Sequence, residues 1–475
     1  MRLIMPALER PDNFDKIWLP PRQGILAHKA DVLVVGGGPA GLGAALGAAW
    51  SGSKVILAER HGFLGGNATA SLVMPLMSYH TDKSVAFDQS VSDRLTLSPT
   101  DHGPGDPAVA GALREMVRRL VKAGGAISPS LNTGYVVPFD PEIFKFVAID
   151  LLNEAGVNFI FHALATDVLE RESNKAVVFE TKSGPIIIEA KFIVDCTGDG
   201  DVAVRAGAHY DFGRDDGSVQ PMSLMFRMGD FSKTAFENYV KAHPDQWEKG
   251  VYGLWDLIRK ASLAGDLELE REDILFFGTL HEHEVSVNST RITKVSGVDV
   301  WDLTYAETEG RRQVRQIVSF FKKYVPGFEE SYLLQTGVTV GVRETRRITG
   351  EYTLTVDDIL GAKKFDDQIA LGSYPIDIHN PLGKGTILKK LPPGETYGIP
   401  LRSLIPKDID GILVAGRSIS GTHEAHSSYR VMPTSMATGQ AAGVCAALAV
   451  SEKKSIRELD VKKIQKELIK QSAIL

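Results

Sequence analysis

A buried strand, a glycine-rich turn and a helix follow one another without a break near the start of this chain, and few folds accept that order. Asp31-Val32-Leu33-Val34-Val35 is an apolar run without alternation, the pattern of a parallel strand covered on both faces. Gly36-Gly37-Gly38-Pro39-Ala40-Gly41 comes next, then a small-residue run to Trp50, then Lys54-Val55-Ile56-Leu57-Ala58 ending in Glu59. This is a G-x-G-x-x-G unit between strand and helix, with an acidic residue 18 positions past Gly41. Gly36 permits the tight turn, Gly38 lets a pyrophosphate lie against bare backbone, and Gly41 lets helix and strand pack closely. Helix amides beyond Pro39 and Ala40 then face phosphate, and Glu59 accepts from ribose hydroxyls. The spacing predicts a dinucleotide bound by a Rossmann-like α/β domain.

At 475 residues the chain is too long for one simple core, so a second unit is expected. Residues 1–29 read as an irregular, proline-bearing arm, and 30–219 as the first part of the dinucleotide domain, a parallel sheet with a β-meander. Residues 220–337 change character and read as an inserted α+β substrate or cap domain. Residues 338–475 return to the first domain and end in helices. Within this frame, helices are expected over Ala110–Lys122, Pro141–Glu154 (capped by Asp140), Tyr305–Lys323 and Thr434–Val450. Buried strands are expected at Phe192–Thr197 and Gly411–Arg417. A long polar excursion, Ser78–Pro107, reads as a functional loop.

Composition narrows the chemistry. A net charge of −6 argues against a nucleic-acid surface. Only Cys196 and Cys445 occur, which removes iron–sulfur spacing, zinc-cluster spacing and a disulfide framework. No signal peptide or membrane span is evident, so a soluble cytoplasmic protein is expected. Homo-oligomerisation is left open.

Three strand-to-loop signals stand together: Gly36 to Gly41, Asp195-Cys196-Thr197-Gly198-Asp199-Gly200-Asp201, and Gly411 to Arg417 with the helix that follows. With Gly65-Gly66-Asn67-Ala68-Thr69 and Gly341-Val342-Arg343-Glu344-Thr345-Arg346-Arg347-Ile348, they resemble the bacterial FAD-dependent oxidoreductases of the glutathione-reductase-like, two-dinucleotide-binding-domain class. The resemblance spans roughly Ala30 to Ala449 and implies FAD. It implies that Glu59 and Arg60 bracket the adenosine, and that Gly66, Asn67 and Thr69 wrap the pyrophosphate and flavin edge. It further implies an adenine contact at Ala165, a diphosphate side formed by Thr197, Gly198 and Asp201, and a ribityl side formed by Gly416 and Arg417. Met432 and Gly439 then sit on the helix that nears the flavin. The small residues of that helix serve either flavin approach or helix packing.

The segment Ser420 to Arg430 is expected to be a strand-end loop bearing substrate chemistry. Histidine has a pKa near operating pH, so His423 and His426 are candidate proton acceptors, with loop capping as the alternative. Arg430 suits a substrate carboxylate or a developing oxyanion, and Arg346 is a second substrate-binding candidate. Arg343 and Glu344 read as members of an ion-paired turn. Asp377 and His379 form a further polar pair of open role, and His281 to Glu284 reads as a solvated strand edge. The expected activity is hydride transfer between a small polar substrate, sugar-like or an organic acid, and flavin N5. A flavin monooxygenase or halogenase, or a non-catalytic FAD-containing subunit, is the alternative. No second G-x-G-x-x-G is present, so an external electron acceptor or donor is expected.

Overall fold

The computed structural model describes residues 11, 15–83, 105–131, 134–172, 174–383 and 385–475. Residues 84–104 of the expected Ser78–Pro107 excursion, residues 1–10 and 12–14 of the arm, and Ser173 of a meander turn lie outside the described residues.

The apolar run becomes β1 (Ile25–Val35), and the glycine turn delivers the chain into α1 (Pro39–Trp50) and β2 (Val55–Ala58). β1 starts at Ile25, inside the stretch expected to be irregular, because Ile25–Lys29 pair with Ile186–Glu189. Helices α2 (Ala112–Lys122) and α3 (Pro141–Glu154) follow, and the Asp140 carboxylate caps α3 by accepting from Glu142 N at 2.8 Å and Ile143 N at 3.0 Å. Then come β3 (Asn158–Ile160), β4 (Leu164–Arg171), β5 (Asn174–Thr181) and β6 (Gly184–Asp195). The sheet runs β3-β2-β1-β6-β5-β4. β3, β2, β1 and β6 are parallel, while β4, β5 and β6 form an antiparallel meander. The last meander strand and the expected buried strand at Phe192 are one continuous element. Its outer half belongs to the meander and its inner half to the parallel core.

A second core, from Met222 to Val342, gathers around an antiparallel sheet. Its strands are β7 (Phe226–Gly229), β8 (Trp247–Glu248), β9 (Tyr252–Gly253), β10 (Ile274–Gly278) and β11 (Val285–Val287), backed by α4 (Val300–Tyr324) and closed by β12 (Tyr332–Thr336). Their order is β8-β9-β10-β11-β7-β12. Aromatic rings fill the space between sheet and helix, with Phe321 and Phe328 stacked at 4.3 Å. Arg227 reaches Glu284 through two hydrogen bonds of 2.7 and 2.8 Å, which neutralises a charge buried beside that core. The His281–Glu284 segment is the turn between β10 and β11 rather than a strand edge. His281 and His283 are exposed and Glu284 is buried on Arg227.

The chain returns through the hairpin β13 (Ile376–His379) and β14 (Thr386–Lys389), then β15 (Ile412–Val414), which joins β6 in parallel. Three helices close the fold, α5 (His423–Tyr429), α6 (Met432–Glu452) and α7 (Val461–Lys470). α6 lies directly on α1, backbone against backbone. A Cβ on Gly43 would stand 2.1 Å from the Met436 carbonyl oxygen, and one on Gly439 would stand 1.9 Å from that of Ala40. Among the described residues no helix is long and apolar enough to cross a membrane.

Candidate active site

The C-terminal ends of β1 and β6 place their turns side by side, and the close fit decides which residues the turns carry. Gly36 has φ +101°, and a side chain there would drive into the Cys196 carbonyl at 2.4 Å. The Asp195 carboxylate, fully buried at the end of β6, accepts from Thr197 N and Oγ1 and from the Val202 and Ala203 amides, at 2.7 to 3.0 Å. That clamp holds the Thr197-Gly198 loop open toward α1. Glu59, at the end of β2, is buried and accepts from Gly37 N at 2.6 Å and from His61 N at 2.8 Å.

These turns enclose a groove of about 570 Å³. It is lined by Gly36, Gly38, Pro39, Ala40, Glu59, Arg60, Gly66, Asn67, Ala165, Thr197, Gly198, Asp201, Gly416, Arg417 and Met432, all expected on the cofactor. Three further expected residues stand behind the wall. Gly41 packs on the Gly36 carbonyl and Gly439 on that of Ala40, while Thr69 Oγ1 donates to the Leu64 carbonyl at 2.7 Å. Gly439 is thus in backbone contact with α1. Ser71 and Asp199 also line the groove, without having been singled out for it, as does Ser435, one of the small residues of the helix expected near the flavin.

The groove fits a dinucleotide flavin on several counts. Among the described residues the N-cap residues Gly38 and Val431 make no side-chain cap to α1 and α6, so first-turn amides at both N-termini are available to a ligand. Gly38 and Gly66 approach so closely that a Cβ on Gly66 would lie 2.9 Å from Gly38 Cα, leaving bare backbone at the phosphate end. Arg417 Nε and Arg430 Nε are buried donors that meet no acceptor among the described residues.

A second cavity, of about 780 Å³, opens on the far side of Arg417, Arg430 and Met432. It shares Asn67, Val342, Arg417, Arg430 and Met432 with the groove, so the two spaces meet at one wall. Most of its lining is apolar, including Val73, Met77, Met225, Leu275, Phe277 and Leu388. Its polar end holds Arg343, Tyr374, Asp377, His379 and Arg430. The Tyr374 hydroxyl donates to Asp377 Oδ2 at 3.0 Å, and His379 Nε2 and Arg430 Nη2 stand 3.5 and 3.7 Å from the same oxygen. Burial pushes the Asp377 carboxyl up, but His379, Arg430 and Tyr374 together outweigh it, and it sits well below the usual carboxylate range. Burial pulls the His379 imidazole down to about 4 against the attraction of Asp377, so the ring is neutral at pH 7. Arg291 Nη2, only a donor, lies 3.4 Å from His379 Nδ1, which places the ring hydrogen on Nε2, facing Asp377.

The Ser420–Arg430 segment differs from the loop expected. Thr422 Oγ1 accepts from Ala425 N at 3.2 Å and starts α5, so His423 and His426 fall one helical turn apart on its buried side. Neither lines the groove or the second cavity. His423 Nδ1 meets Glu344 Oε1 at 2.9 Å, and Glu344 also binds Arg347 at 2.6 Å. His426 is fully buried, and burial together with Arg347 and Arg430 pushes its pKa well down. Arg430, at the end of α5, lines both spaces. Arg346 is held on Asp201 and on the Asp199 carbonyl, and lines neither. Among the described residues no cluster of His, Cys, Asp or Glu is built to hold a metal ion.

A parallel-sheet dinucleotide domain, a glycine cradle and an adjoining ligand cavity define a flavin-dependent oxidoreductase. The chain belongs to the FAD dependent oxidoreductase family, whose model matches residues 31–468, and its cofactor is FAD. No curated protein sequence matches it. Among solved structures it is similar to a geranylgeranyl bacteriochlorophyll reductase-like protein from Thermoplasma acidophilum, at 15% identity and a TM-score of 0.45, covering 94% of this chain and 84% of that one. It is also similar to p-nitrophenol 4-monooxygenase PnpA from Pseudomonas putida DLL-E4, at 10% identity and a TM-score of 0.46, over 94% and 85% of the two chains. A third, the OxyS anhydrotetracycline hydroxylase from Streptomyces rimosus, is 11% identical with a TM-score of 0.41, over 93% and 66%.

Proposed function

We propose that the enzyme oxidises or reduces a small organic molecule held in the second cavity, with FAD in the groove and residues 220–337 serving as the cap over the substrate. The observation that carries this reading is the wall common to both spaces: Asn67, Val342, Arg417, Arg430 and Met432. When bound, FAD supplies a ring that takes or gives a hydride. The chain's residues supply the rest. The apolar walls exclude water from the substrate's body and favour an organic molecule over a sugar. Arg430 orients a polar group at the common wall. At pH 7 the Tyr374 hydroxyl holds its proton toward Asp377 Oδ2, since burial and Asp377 raise its pKa, and the Asp377 carboxylate, too weak a base to take a proton, orients a substrate O–H or N–H by accepting its hydrogen bond. The two-dinucleotide-domain relationship is part of the same proposal, with electrons passed on to an external carrier.

The test is an anaerobic panel of organic acids, alcohols and amines against the FAD-loaded enzyme. Bleaching of the visible flavin band by a substrate supports hydride exchange, and loss of that bleaching in Asp377→Asn locates the reaction. Reductant-driven oxygen uptake that yields a hydroxylated product, with no anaerobic bleaching, would replace this reading by monooxygenation.

A further inference from the structure

The second cavity holds an arginine with no counter-ion. Most arginines on its wall have a carboxylate at close range: Arg271 pairs with Asp273 at 2.5 Å and Arg417 with Asp199 at 2.5 Å. Arg343 has none among the described residues. Its Nη1 donates to two neutral acceptors, the Pro221 carbonyl at 2.7 Å and Ser223 Oγ at 2.8 Å. Ser223 Oγ is itself fixed by donating to the Thr290 carbonyl at 3.0 Å. One edge of the guanidinium is thereby locked, while Nε and Nη2 meet no acceptor among the described residues. The acid next in sequence, Glu344, is unavailable, being turned to Arg347, His423 and the Gln220 amide.

Arg430 faces the same space and is only loosely held. Its Nη2 is 3.4 Å from the Asp377 carbonyl and 3.7 Å from Asp377 Oδ2, and its buried Nε has no partner. Burial, and after it the repulsion of Arg430, pull Arg343 down to about 9, so the guanidinium is still cationic at pH 7. Two like charges in a mostly apolar cavity are unfavourable unless an anion joins them. Asp377 offsets one of these two guanidiniums and leaves the other for an anionic ligand to offset.

Resting on the function proposed above, we infer that Arg343 and Arg430 clamp the carboxylate of the substrate, which is an organic acid with an apolar body. The planar donors of two guanidiniums suit the two oxygens of a carboxylate. Val73, Met77, Met225, Leu275, Phe277 and Leu388 supply the apolar contact for the rest of the molecule.

The test uses the FAD-loaded enzyme titrated with 2-naphthoate, 4-phenylbutyrate and phenyl phosphate, and with the primary amides of the two acids. Binding is read by calorimetry and by perturbation of the visible flavin spectrum. The expected result is that an acid binds at least tenfold tighter than its amide and tighter than phenyl phosphate. R343Q should bring acid and amide to within about twofold of each other, with R343K in between. Retained FAD content and thermal midpoint show that the variants fold. Equal binding of acids and amides, no binding of either acid, preference for the phosphate, or an acid preference that survives R343Q overturns the clamp. Failure of the functional reading looks different: the acid preference and its loss in R343Q appear by calorimetry, while the flavin spectrum does not respond.

Discussion

The contact between α1 and α6 sets where the phosphate-binding end of α1 sits, and Gly439→Ala tests it. A methyl group on Gly439 would stand 1.9 Å from the Ala40 carbonyl oxygen, whereas real side-chain carbons keep at least 3.0 Å. The two backbones must therefore part by about 1 Å, since neither atom belongs to a flexible side chain. Overpacking of this kind costs up to about 3 kcal/mol, and the better helix propensity of alanine offsets about 1 kcal/mol. The net expectation is a loss of about 2 kcal/mol in stability, read by urea unfolding of the apoprotein. Ala40 lines the cofactor groove, so the same displacement moves the first-turn amides of α1. Losing one well-aligned hydrogen bond to a charged group weakens FAD binding by about tenfold, read by flavin fluorescence titration. Gly443→Ala meets the Ala44 carbonyl at 2.0 Å, one turn farther from the groove, and should lose comparable stability with a smaller loss of FAD affinity. If Gly439→Ala leaves both stability and FAD affinity at parent values, the two helices are not in backbone contact and the reasoning fails.

Other substitutions address single links. Glu59→Ala strips the acceptor from the Gly37 and His61 amides at 2.6 and 2.8 Å, and equilibrium dialysis should show FAD binding at least about tenfold weaker. Arg227→Met strands the Glu284 carboxylate and should cost about 3–5 kcal/mol in urea unfolding, with most of it recovered when Glu284→Leu is added. His379 titrates near 4 when folded and near 6.5 when unfolded, so between those values only the unfolded chain binds the proton. Stability should therefore fall as pH drops through that window, by up to roughly 3 kcal/mol, and His379→Gln should flatten this part of the profile. His426→Leu should keep kcat/KM within about threefold once a substrate is known; a hundredfold loss would return His426 to the chemistry.

The cofactor groove was legible in sequence because its determinants are local. A strand end, a tight turn and a helix start fall within a dozen residues, and Gly36 and Gly41 are each required by the backbone that they touch. The substrate end was harder to see. Ser420 to Arg430, rich in Ser, Gly and His, reads as a loop, but Thr422 caps a short helix there. Its polar side chains are buried because Glu344, distant in sequence, receives His423. Arg343 read as part of an ion-paired turn, since nothing local shows that Glu344 is claimed by other partners. Asp377 and His379 carried a usable signal: two positions apart in a short strand, they fall on one face. What the sequence did not show is that this face closes the far end of a largely apolar cavity whose other walls come from many separate stretches of chain, from Asn67 to Met432.

The central claim is that the cofactor groove and the substrate cavity meet at Asn67, Val342, Arg417, Arg430 and Met432. A crystal structure of the FAD-loaded enzyme tests it most directly. The account predicts the isoalloxazine ring against these five residues, with one face open to the cavity that holds Arg343 and Asp377. A ring seated elsewhere, or one walled off from that cavity, would contradict it.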